Sequence, residues 1–444
     1  MGRKPIDILD LARELVLTDD SEVKQKLGKK ILNIAYKKGI YPSSINQLYF
    51  ARGRGEFFPN FTVPAINLRT LTLDLARAIF RVAKKNNAGA FIFEIARSEM
   101  GYTGQPPVEY SVCVLAAAVC EGYQGPVFIQ GDHFQLNAKK FRDNPEKEIG
   151  GLEILITQAV EAGFYNIDID SSTLVDLSKS TVDKQQYLNY DTCAKLTQFI
   201  RKIQPRGIDI SVGGEIGEVG GKNSTPEELR AFMSGFKKRL RKGKQGISKI
   251  SVQTGTTHGG VVLPDGSIAQ VQIDFDTLKN LSRISREEFG LAGCVQHGAS
   301  TLPAEAFHKF AETEAAEVHL ATEFQNMVYE NSHLPEELRD RIYDWIKQNL
   351  SGERKQEQTE EQFIYTARKK ALGQFKRDIF GLPQNIRDAI VAPVEEKFNF
   401  LFKQLNVVNT KELADKYINL KRVIRRTRHK KEEPGAQEHF EGAD

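Results

Sequence analysis

Between about residues 60 and 330 the chain repeats one pattern: a short apolar run rich in β-branched and aromatic residues, then a longer amphipathic stretch. Eight such runs can be placed, at 62–67, 90–95, 127–131, 165–170, 208–213, 248–254, 293–297 and 317–321. The intervening segments carry helical spacing: Leu75, Ile79 and Val82 share a face within 71–84, and Leu155 and Ala159 do so within 151–162. Alternation of this kind builds βα units, because a strand buried on both faces needs a helix to cover it. Eight units favour a closed (β/α)8 TIM barrel, which occupies roughly 250 residues, over an open doubly wound sheet. No GxGxxG follows the first run, so a dinucleotide-binding sheet has no support.

The flanks read differently. In the first ~55 residues Leu11, Leu15, Val23, Leu27, Ile31 and Ala35 recur at helical spacing, until Pro42 and Arg52-Gly53-Arg54-Gly55 interrupt them. Beyond ~330 helices are expected over 335–350, 360–380, 389–405 and 410–427. Pro383 and Pro393 punctuate this region, and Phe398, Phe402 and Leu405 form a buried stripe. The expected division is therefore an N-terminal helical extension (1–58), a TIM-barrel catalytic domain (59–330), a C-terminal helical region (331–431) and a disordered tail (432–444). The C-terminal helices would pack on the barrel or on a second subunit.

Composition narrows the function. With 444 residues, 40% hydrophobic and 27% charged, the chain can bury a substantial core. A net charge of +4 gives no reason to expect nucleic acid. The basic run Arg425-Arg426-Thr427-Arg428-His429-Lys430-Lys431 reads as a solvated helix end. Cys113, Cys120, Cys193 and Cys294 form no CxxC pair and sit among apolar residues, as reduced core thiols do. The charged N-terminus lacks a signal-peptide core, and no stretch reaches the ~18 apolar residues of a membrane span. The expectation is a soluble cytoplasmic protein without membrane partners.

In a barrel of this kind, chemistry gathers at the C-terminal ends of the strands. Four of the chain's eight histidines, His133, His258, His297 and His319, fall at such ends. His133, His258 and His297, on the third, sixth and seventh strands, have glycines close by, which let a substrate approach without a Cβ in the way. Three neutral imidazoles suit Zn²⁺, or Co²⁺ or Fe²⁺, and leave a fourth position for water or substrate.

The motifs Asp132-His133, Asp170-Ser171-Ser172-Thr173-Leu174-Val175-Asp176, Gly214-Glu215-Ile216-Gly217 with Gly220-Gly221, Thr256-Thr257-His258-Gly259 and His297-Gly298-Ala299-Ser300 follow one another in order. In this the chain resembles the class II (zinc-dependent) fructose-bisphosphate and tagatose-bisphosphate aldolases, from about Val63 to Gln325. The resemblance implies zinc on His133, His258 and His297, with Asp132 as acid/base and Asp170 and Glu215 around the metal as supporting or alternative ligands. It implies substrate or phosphate contacts from Asn67, Gly259, Gly298, Ser300, His319 and Thr322, a monovalent cation as a possible second cofactor, and a homodimer or homotetramer. Asp132 could instead orient His133, and His319 could be a base, an extra ligand or a packing residue. Breaking a bond beside a ketone needs an electron sink, which a Lewis-acidic metal provides, and a neighbouring carboxylate can move the hydroxyl proton.

Several family positions are altered. No carboxylate follows Gly220-Gly221, where the family has a mobile-loop glutamate, although Glu218 precedes the pair. The family's lysine after the sixth strand would fall near Val261-Val262. Ala96 takes the place of a serine, and His319 and Ala321 the places of Asn and Asp. Arg97, or Arg52 with Arg54, could restore a cation for phosphate. Reversible cleavage of fructose 1,6-bisphosphate or a related ketose phosphate to dihydroxyacetone phosphate and an aldehyde is the leading expectation, placing the protein in glycolysis or carbohydrate metabolism. A zinc aldolase for another ketose is the second. The third is a non-catalytic relative of the tagatose-bisphosphate aldolase companion subunits, which Gly101-Tyr102-Thr103-Gly104-Gln105-Pro106-Pro107 resembles.

Overall fold

The computed structural model describes residues 7–217, 222–255 and 272–423. The barrel strands are β1 (Val63–Asn67), β2 (Ile92–Ala96), β3 (Val127–Gln135), β4 (Asn166–Asp170), β5 (Ser211–Glu215), β6 (Lys249–Val252), β7 (Cys294–Gln296) and β8 (Glu317–Leu320). Each pairs in parallel with the next, and β1 pairs with β8 from Val63↔Glu317 to Ile66↔Leu320, which closes the cylinder. The eight expected strands are present, so the (β/α)8 barrel read from the sequence is observed. Their ends differ by up to a few residues; β5, for example, begins at Ser211 and not at 208. Pro42–Ser43 adds a two-residue strand beside the start of β3, too short to carry a period.

Every residue of β1, β2, β4 and β5 is buried, as expected for parallel strands covered by helices outside and packed side chains inside. The third N-terminal helix, Asn46–Gly53, closes the end of the barrel where the strands begin. Its Arg52 donates to the carbonyls of Phe61, Glu314 and Ala315, just ahead of β1 and β8, and its Tyr49 donates to Glu317 Oε2 at 2.5 Å.

The C-terminal region packs on the barrel of its own chain: Gln384–Gln404 lies against helix Thr72–Lys85, with Phe398 4.8 Å from Phe324. Three expectations need correction here. The stretch 360–380 is not one helix but Glu360–Ala367, a 3-10 turn Arg368–Ala371, and Lys376–Phe380. Between the 3-10 turn and the last of these helices, the N–H of Gly373 donates to Tyr102 O at 2.9 Å; a Cβ there would lie 2.6 Å from that oxygen. The next helix starts at Gln384 and runs through Pro393 without ending. In the last stretch, helix spans only Lys411–Tyr417 among the described residues, and the basic run and the tail lie outside them. All four cysteines are free. No helix among the described residues is long and apolar enough to cross a membrane.

Candidate active site

Successive residues of a regular strand point to opposite faces, yet Asp132 and His133 line the same cavity. A bulge in β3 brings this about. The register against β4 shifts between Gly131 and Phe134, and His133 takes the left-handed φ of 38°. Phe134 folds its ring against Gly131, where a Cβ would meet it at 2.4 Å, so glycine is required at that position. Bulges of this type re-aim side chains beside functional sites, and a non-glycine residue in the left-handed region costs about 1–3 kcal/mol that the surroundings must offset.

The cavity measures 530 Å³ and opens at the C-terminal ends of the strands. That is a usual size for a small-molecule site. At its base His133 Nε2 and His297 Nδ1 face each other at 2.9 Å, with ring centroids 4.1 Å apart. Each ring is held from its other nitrogen: His133 Nδ1 by Asp170 Oδ2 at 3.2 Å and Glu215 Oε2 at 3.4 Å, His297 Nε2 by Ser251 Oγ at 3.0 Å. Asp170 is itself held by Gln135 Nε2 (2.6 Å) and by the Ser172 amide and hydroxyl. Two imidazoles converging on one point while oxygens fix their outer nitrogens is the arrangement expected of metal ligands with supporting partners. Asp132, His133 and His297 offer ligand atoms within 4.8 Å of one another, as do His133, Asp170 and Glu215.

Electrostatics agree. Burial opposes a charge on His133, but the carboxylates of Asp132, Glu215 and Asp170 outweigh it and hold the imidazole protonated well above its ordinary 6.5. Burial, and then Asp170, push the Glu215 carboxyl well up. For Asp170 burial acts upward too, but hydrogen bonds from His133, Ser172 and Gln135 keep it below its usual value. This cluster of acids draws positive charge to the imidazole pair.

Beneath it lies a second ionic cluster. His319 Nδ1 stands 3.0 Å from Asp132 Oδ1 and 3.2 Å from Glu94 Oε2, and its Nε2 2.7 Å from Glu317 Oε1. Lys249 Nζ donates to Gln130 Oε1 (2.7 Å), Asp168 Oδ2 (2.9 Å) and Glu317 Oε1 (2.5 Å). All are buried. Burial works against the charge on His319, but Glu94, Asp132 and Glu317 raise its pKa well above 6.5. Asp132 thus touches both clusters, 3.0 Å from His319 and 3.8 Å from His133 Nε2. Asp170 and Glu215 lie closer to His133, at 3.2 and 3.4 Å from its Nδ1.

Most residues singled out in the sequence meet here. Asn67, Asp132, His133, Asp170, Glu215, His297, Gly298, Ser300, His319 and Thr322 all line the cavity. Asn67 Nδ2 donates to Glu99 Oε2 at 2.5 Å, and Ser300 Oγ accepts from the Ala321 amide at 2.7 Å. His258 and Gly259 lie outside the described residues, as do Glu218 and Val261-Val262. The arginines expected to bind phosphate do not line the cavity. Arg97 is buried and donates to Glu148 and to Gln135 O; Arg52 serves backbone carbonyls at the opposite end of the barrel; Arg54 pairs with Glu56 at the surface. Charged residues in a core need partners, and Arg97 and Arg52 have theirs away from the cavity.

The sequence reading missed Glu94, Glu99, Arg69, Tyr102, Tyr365 and Lys369, which also line the cavity. Glu94 could have been found, because a carboxylate in Phe91-Ile92-Phe93-Glu94-Ile95 breaks a fully buried strand. The same holds for Lys249 and Glu317. Lys369 gave no local signal.

A family model for class-II fructose-bisphosphate aldolase matches residues 59–401. Solved structures align along nearly their full length. A protein described as a probable tagatose 6 phosphate kinase from Sinorhizobium meliloti 1021 is 15% identical, covering 80% of this chain and 99% of that one, with a TM-score of 0.55. Fructose-bisphosphate aldolase from Campylobacter jejuni is 17% identical, covering 82% and 94%, with a TM-score of 0.48. The YdjI aldolase from Escherichia coli K12 is 15% identical, covering 77% and 98%, with a TM-score of 0.43. No curated protein matches the chain. At these identities the first structure speaks for a shared fold.

Proposed function

Because the chain belongs to the class-II fructose-bisphosphate aldolase family, we propose that it is a metal-dependent aldolase that reversibly cleaves a ketose phosphate to dihydroxyacetone phosphate and an aldehyde. The observation that carries this reading is the pair His133 Nε2 and His297 Nδ1, converging at 2.9 Å at the base of the cavity with both outer nitrogens held by oxygens. Nitrogen donors beside carboxylates fit Zn²⁺, Co²⁺ or Fe²⁺. His133 and His297 would hold the ion together with His258, the third histidine expected at a strand end. A divalent ion there supplies the electron sink that cleavage beside a ketone requires.

The chain's own groups do the rest. Asp132, at the edge of the imidazole pair, accepts the proton of the hydroxyl at the bond being broken and returns it in the condensation direction. His319 fixes Asp132 Oδ1 from behind and is itself tied to Glu317, so the carboxylate is oriented before substrate arrives. Asp170 and Glu215 hold His133 so that Nε2 faces the cavity. Lys249 is engaged with Asp168 and Glu317 beneath the site, so no imine with this lysine is called for.

A second reading keeps the chemistry and changes the sugar. The replacement of polar family positions by Ala96 and Ala321, both lining the cavity, favours a ketose other than fructose 1,6-bisphosphate. Metal analysis of the purified protein, run beside a cleavage screen over ketose mono- and bisphosphates, tests both. The expected outcome is about one divalent ion per chain and chelator-sensitive cleavage of at least one ketose phosphate. A metal-loaded protein inert toward every ketose would point to the non-catalytic relatives and end this reading.

A further inference from the structure

Net charge averages over a whole surface and hides one local excess. Lys237-Lys238-Arg239-Leu240-Arg241-Lys242-Gly243-Lys244 places six cations and no acid in eight residues, against +4 for all 444. The run passes from the last turn of helix Pro226–Arg239 into the loop that leads to β6. It therefore lies at the end of the barrel where the strands begin, away from the mouth of the cavity. Two of the six are engaged: Arg239 pairs with Asp191 Oδ1 at 3.1 Å, and the Lys237 ammonium lies 4.8 Å from the Phe289 ring centroid. Lys238, Arg241, Lys242 and Lys244 are exposed and form no ion pair among the described residues. We infer that this basic turn is a docking surface for the phosphate backbone of duplex nucleic acid, bound without regard to base sequence.

The backbone of the turn is clamped. Arg201, buried on helix Val182–Ile203, donates to Gln245 O and Gly246 O, both at 2.9 Å. The Arg241 amide donates to Gln198 Oε1 at 3.3 Å, and Asn46, on the helix that closes this end of the barrel, donates to Gln245 Oε1 at 3.1 Å. A fixed backbone keeps like charges together, and their repulsion is relieved by counter-ions or by an anionic partner. Two further exposed cations extend the surface. Arg206 lies in the loop after helix Val182–Ile203, and the Lys421 ammonium sits beside the next residue, 2.9 Å from where a Cβ on Gly207 would be. The acids close by are taken: Asp191 also holds Lys195 at 2.9 Å, and Asp209 accepts from Gln47 (3.1 Å) and Gln204 (3.3 Å). A duplex carries about one charge per 1.7 Å of its axis, so several cations are matched at once as counter-ions are released. Residues 237–244 include no aromatic side chain on which an unpaired base could stack. Their one large apolar residue, Leu240, packs on the core and leaves no anchor for a bilayer. Both features favour the duplex backbone.

The test is independent of the aldolase reading. The full-length protein is titrated into a fluorescein-labelled duplex of mixed sequence, and fluorescence anisotropy is read at several salt concentrations. With about four phosphate contacts, log affinity should fall against log salt with a slope of about −3.6, a loss of roughly 100-fold between about 50 and 200 mM. The quadruple variant Lys238→Gln/Arg241→Gln/Lys242→Gln/Lys244→Gln should bind at least roughly 100-fold more weakly at the lower salt. Lys242→Gln alone should make the slope shallower by about 1, whatever the duplex sequence. Lys139→Gln, an exposed lysine on helix Ala138–Asp143 at the other end of the barrel, should leave both affinity and slope unchanged. No salt-dependent binding by the parent, or equal affinity in the quadruple variant, overturns the surface. Tighter binding to a single strand of the same length, or to phosphatidylserine vesicles, than to the duplex overturns the assigned partner.

Discussion

Two buried ionic clusters share one barrel and differ in how their charges are balanced. The lower one, around Lys249, Asp168, Glu317, Gln130 and Tyr49, is built on a permanent cation: the ammonium meets two carboxylates and an amide oxygen, and Glu317 takes a further bond from Tyr49. The upper one, around His133, His297, Asp170 and Glu215, has carboxylates facing imidazoles at the base of a cavity, and its acids draw a proton onto His133. The lower cluster has a permanent cation, Lys249, among its acids. The upper one has no lysine or arginine among its members and lies at the bottom of an accessible cavity, where an exogenous cation belongs. Asp132 and His319 join the two, so orientation set below is passed to the carboxylate above.

The comparison is tested most severely at Asp132. If this residue moves the hydroxyl proton, Asp132→Asn lowers turnover by about 10²–10⁴-fold with metal retained. A variant whose turnover returns to normal at saturating metal would instead make Asp132 an orienter of His133. In the lower cluster, Lys249→Met should destabilise the fold by about 3–5 kcal/mol in urea unfolding, because it leaves Asp168 and Glu317 buried without their cation. The metal content of its folded fraction should match the parent's. Loss of metal without loss of stability would erase the distinction between the clusters.

Acid probes the lower cluster without mutation. Burial acts to raise the Glu317 pKa, but Lys249 and His319 overcome it and bring it from the ordinary 4.5 to about 2. A depressed folded-state pKa means that this stabilisation is complete above about pH 4.5 and is lost as pH falls toward 2. Asp168 works in the opposite sense: burial raises it to about 6, so its protonation between about pH 6 and 4 favours the folded state. Unfolding free energies measured from pH 7 to 3 should therefore hold up until about pH 4.5 and then fall by a few kcal/mol. A decline already complete at pH 5 would contradict the ion network. The smallest effect is expected at Asp170. Asp170→Asn should weaken metal affinity by about 10–100-fold, with activity restored by excess metal; an unchanged affinity would remove Asp170 from the support of His133.

The fold was legible in the chain because parallel-barrel strands alternate with helices at a period that survives in one dimension. The histidines were legible because His133 and His297 close strand-like runs beside glycines. The lower cluster was not, because its pairings join residues as distant as Gln130 and Lys249 or Tyr49 and Glu317. What the sequence does display is each charge interrupting an apolar run. The bulge at Asp132-His133 depends on Phe134 turning back over Gly131, which spacing alone does not encode. The close approach of Gly373 to the backbone of Tyr102, which follows the break in the 360–380 stretch, is likewise a contact distant in sequence.

The most direct test is a divalent-metal titration, read by bound metal per folded chain, of the parent protein, His297→Ala and His319→Gln. The expected result is about one equivalent in the parent and in His319→Gln, and marked loss in His297→Ala. A full equivalent retained by His297→Ala, or its loss in His319→Gln alone, would contradict the assignment of the metal to the upper cluster.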